Sequence, residues 1–165
     1  MAGKFQIEKQ REDKWCWAAV SVSVDHYFSP GSASSQCRVA RDVLGIAQCC
    51  SNPDDCNTPA RLQAGLSVVG RLKAILLRPL QFNEIRREID ALRPVCVRIA
   101  WNGGGGHFVV ISGYRLSASG AQLVEVADPL FPSSTVLYDV LISAYQNAQE
   151  PLGGGQWTAT FLVGV

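Results

Sequence analysis

The sequence has almost no net charge: fifteen Lys and Arg residues balance fourteen Asp and Glu, which leaves +1 at pH 7. This balance offers no electrostatic attraction for nucleic acid or for an anionic membrane, so we expect neither as a partner. No apolar run reaches the length that crosses a bilayer. The first fourteen residues are too charged for a signal-peptide core, so the signal of an exported precursor would lie outside this chain. The length of 165 residues and the 47% apolar content are typical of a single soluble domain, which we place at 1–165.

Familiar ligand-binding motifs are missing as well. The glycine run 153–155 is followed by neither a helix nor a Lys-Ser/Thr pair, so it predicts a turn and no phosphate site. Four of the six cysteines fall in one segment with the spacing C-x11-C-C-x5-C, and an adjacent pair is a poor source of two tetrahedral zinc ligands. We favour one or two disulfides there, with reduced structural thiols as the alternative and zinc third. The four residues are Cys37, Cys49, Cys50 and Cys56. Disulfides would imply an oxidising, secreted or periplasmic location.

Hydrophobic periodicity and turn signals divide the chain into two unlike parts. The first part predicts helices at 17–28, 36–46, 58–69 and 81–92 with one strand at 72–78, the third helix starting at Thr58-Pro59. The second part predicts strands at 95–101, 107–115, 121–128, 135–139 and 156–163 with a short helix at 139–146. Helices followed by an antiparallel sheet indicate an α+β fold with two lobes. We place the helical lobe at about 10–92 and the β lobe at about 93–165.

A cysteine stands at the head of the first predicted helix, in Trp15-Cys16-Trp17. The positive end of a helix and a neighbouring imidazolium both favour a thiolate, which is the nucleophilic form. A buried, inert thiol is the structural alternative. The presence of His107 elsewhere in the chain makes Cys16 our candidate nucleophile, because nucleophile and base need only meet in space.

His107 follows four glycines and begins a predicted strand, and Asp128 ends the next one. If these strands form a hairpin whose opposed residue numbers sum to about 235, His107 and Asp128 face each other on one side of the sheet. The aspartate would then orient the imidazole, with Asn102 as the lower-ranked orienting residue. The glycines should leave His107 accessible. His26, within the first helix, is predicted to be structural.

Gln10 precedes Cys16 by six residues. Its side-chain amide and the Cys16 backbone N–H could donate to the oxyanion that forms when a thiolate attacks a carbonyl. A solvated glutamine in a charged stretch is the alternative.

The order Gln10, Cys16, His107, Asp128 resembles the papain-like cysteine peptidases. More narrowly, WCWAAV, QCRVARDVLGIAQCC, GGGGHFVVISGY and VADPLF resemble small bacterial papain-like peptidases of the AvrRpt2 type, over roughly residues 10 to 145. The C-G-[SA]-C-[WY] signature of papain and cathepsins is absent, which points to a minimal version of the fold. The resemblance implies a helical lobe packed on an antiparallel sheet or half-barrel. It also implies Cys16 as nucleophile, His107 as base and acid, Asp128 as orienter and Gln10 in the oxyanion hole.

The function that follows is hydrolysis of peptide bonds through a thioester acyl-enzyme, with no metal or organic cofactor. Trp15, Trp17 and Trp101 are candidates for the cleft walls, with core packing as their alternative. An acyl or peptidyl transferase, a cell-wall amidase and a catalytically silent peptide-binding module share these features. We expect a monomer that binds a protein or peptide substrate, and an inhibitor or immunity protein is a further partner to consider. Cys96, inside a strand, is predicted to be a buried thiol.

Overall fold

The computed structural model of the protein describes residues 3–147 and 153–165. In chain order the elements are α1 (Cys16–Phe28), α2 (Gln36–Leu44), a 3₁₀ helix (Pro53–Cys56), α3 (Leu62–Val68), β1 (Leu72–Leu76), α4 (Phe82–Asp90), β2 (Val95–Trp101), β3 (Gly106–Leu116), β4 (Gln122–Ala127), β5 (Ser134–Leu137), α5 (Tyr138–Ser143) and β6 (Gly155–Val163). No helix within the described ranges has the length and apolar character needed to cross a membrane. The α+β class predicted from the sequence is confirmed.

The six strands form one antiparallel sheet in the order β1-β6-β2-β3-β4-β5. Side chains alternate between its two faces. One face packs against α1, α2 and α3, and the other packs against α4 and α5, so each face has its own apolar core. The sheet is therefore a middle layer between two groups of helices.

Helix α1 is the centre of the first core. It contains no Gly or Pro, and its first ten residues, Cys16 to Asp25, are all buried. A helix that is apolar on nearly all sides is stable only when other elements surround it. Its few polar side chains bond locally, as Ser21 and Ser23 do to the carbonyls of Trp17 and Ala19.

The cysteine-rich segment lies against α1 and holds two disulfides. The pairs are Cys37–Cys50 and Cys49–Cys56, with S–S distances of 2.02 Å. Trp15, the residue before α1, donates its indole N–H to the carbonyl of Cys56 at 2.8 Å. The second disulfide therefore braces the entry to the helix that carries Cys16.

The predicted elements are all present, and their bounds lie within three residues of the structure except at the start of α3. That helix begins at Leu62, not at Thr58-Pro59. The carbonyl of Thr58 accepts a hydrogen bond from the Trp17 indole at 3.1 Å, which holds this stretch outside the helix. The tertiary contact overrides the local capping signal.

The division between the lobes also differs from the expected one near residue 92. Strand β1 pairs with β6, and α4 packs against the second face of the sheet. The helical layer facing the cysteine therefore ends with α3, near residue 70. This placement matters for the site, because it makes β1 part of the sheet wall.

Candidate active site

Cys16 is the first residue of α1 and is 9% exposed. The first N–H groups of a helix have no partner within the helix, and together they give its amino end a partial positive charge. No acidic residue occupies the first turn of α1. The sulfur of Cys16 therefore lies at an uncompensated positive helix end, which favours an anion there.

His107 lies between Cys16 and Asp128. Its Nε2 atom is 2.8 Å from Oδ1 of Asp128. The imidazole lines the same cleft as Cys16, whose thiol contributes to the raised pKa of His107. Because Nε2 is occupied by the carboxylate, Nδ1 is the atom left for the sulfur. The imidazole of His107 thus lies between the Cys16 thiol and the Asp128 carboxylate.

The strand register that brings His107 to Asp128 differs from the predicted one. Val110 pairs with Ala127, and Ile111 pairs with Val126, so opposed residue numbers sum to 237 and not to 235. The register is shifted by two residues, and a shift of two keeps side chains on the same face. Asp128 therefore reaches His107 diagonally, from just beyond the end of β4.

The protonation states of His107 and Asp128 depend on each other, because both residues are buried. Burial alone would lower the pKa of His107, but its bond to Asp128 and its interaction with Cys16 outweigh this effect and raise the pKa to about 9. Burial alone would raise the pKa of Asp128. The bonds from His107, Tyr145 and the Leu130 N–H outweigh it and hold the pKa below its usual value. The arrangement favours an imidazolium beside a carboxylate at neutral pH.

Aromatic rings cover the imidazole. Trp101 stacks on His107 with ring centroids 5.6 Å apart and planes 17° apart, and Phe131 meets the imidazole edge-on at 6.0 Å. His107 is only 3% exposed, so the expectation that the glycines leave it open to solvent is wrong. The rings exclude water from the His107–Asp128 bond.

Sequence reasoning missed Tyr145. Its hydroxyl donates to Oδ2 of Asp128 at 2.5 Å, and its ring stacks against Trp101 at 6.4 Å. The residue follows α5, and nothing in its local sequence separates it from an ordinary core tyrosine. Only the fold brings it to the carboxylate.

Replacing Tyr145 with phenylalanine removes this donor and leaves Oδ2 of Asp128 without its tyrosine partner in a buried site. We expect a loss of about 1–3 kcal/mol in the free energy of unfolding, measured by urea denaturation at pH 7. The acid limb of the pH–rate profile should move to higher pH, because the bond normally lowers the pKa of Asp128. Tyr138→Phe is the matched control: it loses a bond to the Leu80 carbonyl, neither residue lines the cleft, and it should cost stability without moving the acid limb. An unmoved profile in Tyr145→Phe would contradict this account.

Gln10 lies at the same cleft as Cys16. Its amide nitrogen donates to the carbonyls of Asp13 at 2.7 Å and Glu12 at 3.2 Å. Its Oε1 atom is buried and has no hydrogen-bond partner among the described residues. Both amide hydrogens are therefore engaged, and donation to an oxyanion requires the longer bond, to Glu12, to open.

The backbone on each side of Gln10 is fixed by Gln36, the buried first residue of α2. Gln36 donates to the carbonyl of Lys9 at 2.8 Å and accepts from the N–H of Arg11 at 2.9 Å. The ammonium of Lys9 donates to the carbonyls of Asp128 and Phe131. The amino-terminal arm thus links α2 to the loop that carries Asp128.

A cleft of about 510 Å³ opens beside Cys16 and His107. Of the three tryptophans predicted for its walls, Trp101 lines it, Trp17 borders it without any exposed surface, and Trp15 does not reach it. Trp15 packs in the core, because its indole is drawn inward to the Cys56 carbonyl. The wall on the sheet side comprises Ile75, Leu77, Arg98, Phe108, Ala159 and Phe161.

The remaining candidates lie away from the cleft. His26 contacts the Ser34 carbonyl and Glu8. Asn102 donates to the Gly153 carbonyl, so it supports a turn and does not orient His107. Cys96 is fully buried, and burial raises the pKa of its thiol. Across residues 3–147 and 153–165, no three His, Cys, Asp or Glu side chains are grouped so as to hold a metal ion.

Comparison with known proteins yields a family match over most of the chain. The model of the family described as papain-like cysteine protease AvrRpt2 matches residues 2–147. No curated protein sequence matches this chain. The crystal structure of the Pseudomonas avirulence protein AvrPphB is similar over 98% of each chain, with 14% identity and a TM-score of 0.42. The match to the family model covers far more than half of the chain, which is therefore a cysteine-type peptidase belonging to the AvrRpt2 family of papain-like cysteine proteases.

Proposed function

We propose that this peptidase cleaves peptide bonds within protein substrates, with Cys16 as nucleophile, His107 as base and acid, and Asp128 as the residue that orients His107. The proposal is supported above all by the hydrogen bond between His107 and Asp128 and by the position of Cys16 and His107 at the same cleft. The position of the sulfur at the positive end of α1 supports it independently.

In the first step the Cys16 thiolate attacks the peptide carbonyl, and a C–S bond forms. The negative charge moves to the carbonyl oxygen, where the free N–H of Cys16 can donate to it. Gln10 becomes a second donor if its bond to the Glu12 carbonyl opens when substrate binds. The imidazolium of His107 then gives its proton to the leaving amine as the C–N bond breaks.

The second step releases the acyl group. His107, now neutral, takes a proton from water, and the resulting hydroxide attacks the thioester carbonyl. The C–S bond breaks, and the thiolate and imidazolium are restored. The sum of the two steps is a peptide plus water converted to a carboxylic acid and an amine. No step needs a metal or an organic cofactor.

The pH dependence of the reaction tests the assigned role of His107. Its pKa is raised to about 9, so the proton needed by the leaving amine is retained up to that pH. With unfolded casein as substrate, kcat/KM should fall as the pH rises through about 9. A profile that keeps rising past pH 10, with the protein still folded by circular dichroism, would argue against His107 as the acid.

The raised pKa of His107 also makes the free energy of unfolding depend on pH. The folded protein binds the His107 proton more tightly than the unfolded chain, whose histidine titrates near 6.5. This contribution is complete below pH 6.5 and is lost as the pH rises through about 9. Circular dichroism must therefore accompany the rate measurements above pH 9.

A further inference from the structure

The sheet wall of the cleft carries a positive charge in apolar surroundings. Arg98 lies on β2, directly opposite Phe108 on β3 and Ala159 on β6, and opposed residues share a face of the sheet. Phe108 is 8% exposed and Ala159 is 6% exposed, whereas Arg98 is half-buried. A guanidinium between such neighbours loses part of its hydration, which is unfavourable unless another group compensates.

The partners of Arg98 compensate this charge only in part. One guanidinium nitrogen donates to the Thr158 hydroxyl at 3.0 Å. No carboxylate of the described residues lies within 4.0 Å of it. A guanidinium has five N–H donors and matches a carboxylate with two parallel hydrogen bonds. The side chain therefore has free donors and lines the cleft.

Gly106 brings the guanidinium close to the catalytic histidine. A Cβ at this position would lie 2.9 Å from a terminal nitrogen of Arg98 and 3.1 Å from its central carbon. The guanidinium of Arg98 therefore lies against the strand one residue before His107, and a side chain at position 106 would displace it. An extended peptide advances about 3.3 Å per residue, so Arg98 is within reach of a substrate side chain close to the scissile bond.

The other charges of the cleft have the same overall sign. Besides His107, the basic lining residues are Lys14, Arg61 and Arg98, and Asp13 is the acidic one. Arg61 lies on the opposite, helical wall, so a bound peptide would pass between two guanidinium-bearing walls. A positive cleft attracts acidic segments and disfavours basic ones.

We propose that Arg98 makes this peptidase selective for substrates with an aspartate or glutamate side chain within about two residues of the scissile bond. This inference rests on the proposed function, since it concerns the substrate of the same site. The carboxylate of the substrate would pair with the free N–H groups of Arg98. Aliphatic side chains of the substrate next to this acidic residue would contact Phe108 and Phe161.

Cleavage of a tryptic peptide library with blocked amines, read by mass spectrometry, tests the proposal. Wild-type protein should show an acidic residue enriched at one position near the cut. For the best peptide found, replacing that residue by its amide (Glu to Gln or Asp to Asn) should lower kcat/KM about tenfold or more. Arg98→Gln should reduce this acid-to-amide ratio to near one, and Arg98→Glu should favour a basic residue at that position instead.

Three further variants keep the assignment to Arg98 falsifiable. Arg98→Lys retains the positive charge and should show an acid-to-amide ratio between that of the wild type and one. If Arg98→Gln does not fold, Arg98→Lys takes its place in the test. Arg115→Gln removes an arginine that pairs with Glu125 outside the cleft and should leave the ratio unchanged. If Arg61→Gln abolishes the preference while Arg98→Gln keeps it, the assignment is overturned. Cleavage without any acidic preference overturns this inference alone, whereas the absence of cleavage overturns the proposed function.

Discussion

Replacing Cys16 with alanine should lower the hydrolysis of unfolded casein by at least about 10⁴-fold, because the described residues that line the cleft include no other cysteine and no serine or threonine. Losses of this size are typical when the nucleophile of a catalytic triad is removed. The far-ultraviolet circular dichroism and the unfolding midpoint should stay close to those of the wild type, since alanine is a better helix former than cysteine. Turnover at the wild-type rate would contradict the assignment.

Cys96→Ala is the matched control for this experiment. Cys96 is the other free cysteine of the chain, and it is buried within β2. Its variant should retain hydrolysis. Iodoacetamide at neutral pH should label wild-type protein once, at Cys16, because burial raises the pKa of the Cys96 thiol and keeps it protonated. Labelling of Cys96 in preference to Cys16 would show that the more reactive thiol lies outside the proposed site, and would contradict the assignment of Cys16.

Loss of the two disulfides should have the largest effect on stability. Cys37–Cys50 and Cys49–Cys56 close loops with sequence separations of 13 and 7 residues, and we expect removal of either pair to cost about 2–4 kcal/mol. That is a large part of the 5–15 kcal/mol by which domains are usually stable. Urea unfolding with and without a phosphine reductant measures the difference in the free energy of unfolding between the oxidised and the reduced protein. The Cys16→Ala variant is used because it prevents thiol–disulfide exchange with Cys16.

The two disulfides should differ in their effect on catalysis. Cys49→Ala with Cys56→Ala loosens the carbonyl that accepts the Trp15 indole, next to Cys16, so kcat should fall more than after removal of Cys37–Cys50. Equal loss of kcat in both variants would show that the disulfides act only through global stability. Because both disulfides need oxidised cysteines, we propose that the protein works in an oxidising compartment, secreted or periplasmic. After denaturation, protein isolated from such a compartment should have two alkylatable thiols before reduction and six after it.

The sequence predicted the parts of the site that local patterns encode. Cys16 at the head of a helix follows from an apolar run without Gly or Pro, and His107 at the start of a strand follows from the glycines before it. The pairing of His107 with Asp128 was predicted through a direct opposition that does not exist. Next to the hairpin loop, opposed residue numbers sum to 238, and a bulge between Ile111 and Gly113 changes this sum to 237 near His107. The two residues still meet, since a shift of two leaves both on one face.

Contacts between distant segments account for what the sequence could not supply. Tyr145 reaches Asp128 only because α5 folds back onto the second face of the sheet. Thr58 is held out of α3 by an indole that lies 41 positions earlier in the chain. The amide of Gln10 turns towards the carbonyls of Glu12 and Asp13, a choice set by the path of the backbone.

The position of β6 bears on when the enzyme becomes active. This strand is formed late in the chain, yet it lies inside the sheet, between β1 and β2, and supplies Ala159 and Phe161 to the cleft. While residues 155–163 are still within the ribosome, β1 lacks its partner strand, although Cys16, His107 and Asp128 have already been synthesised. A nascent chain therefore has no finished cleft until β6 has been translated and has paired with β1 and β2.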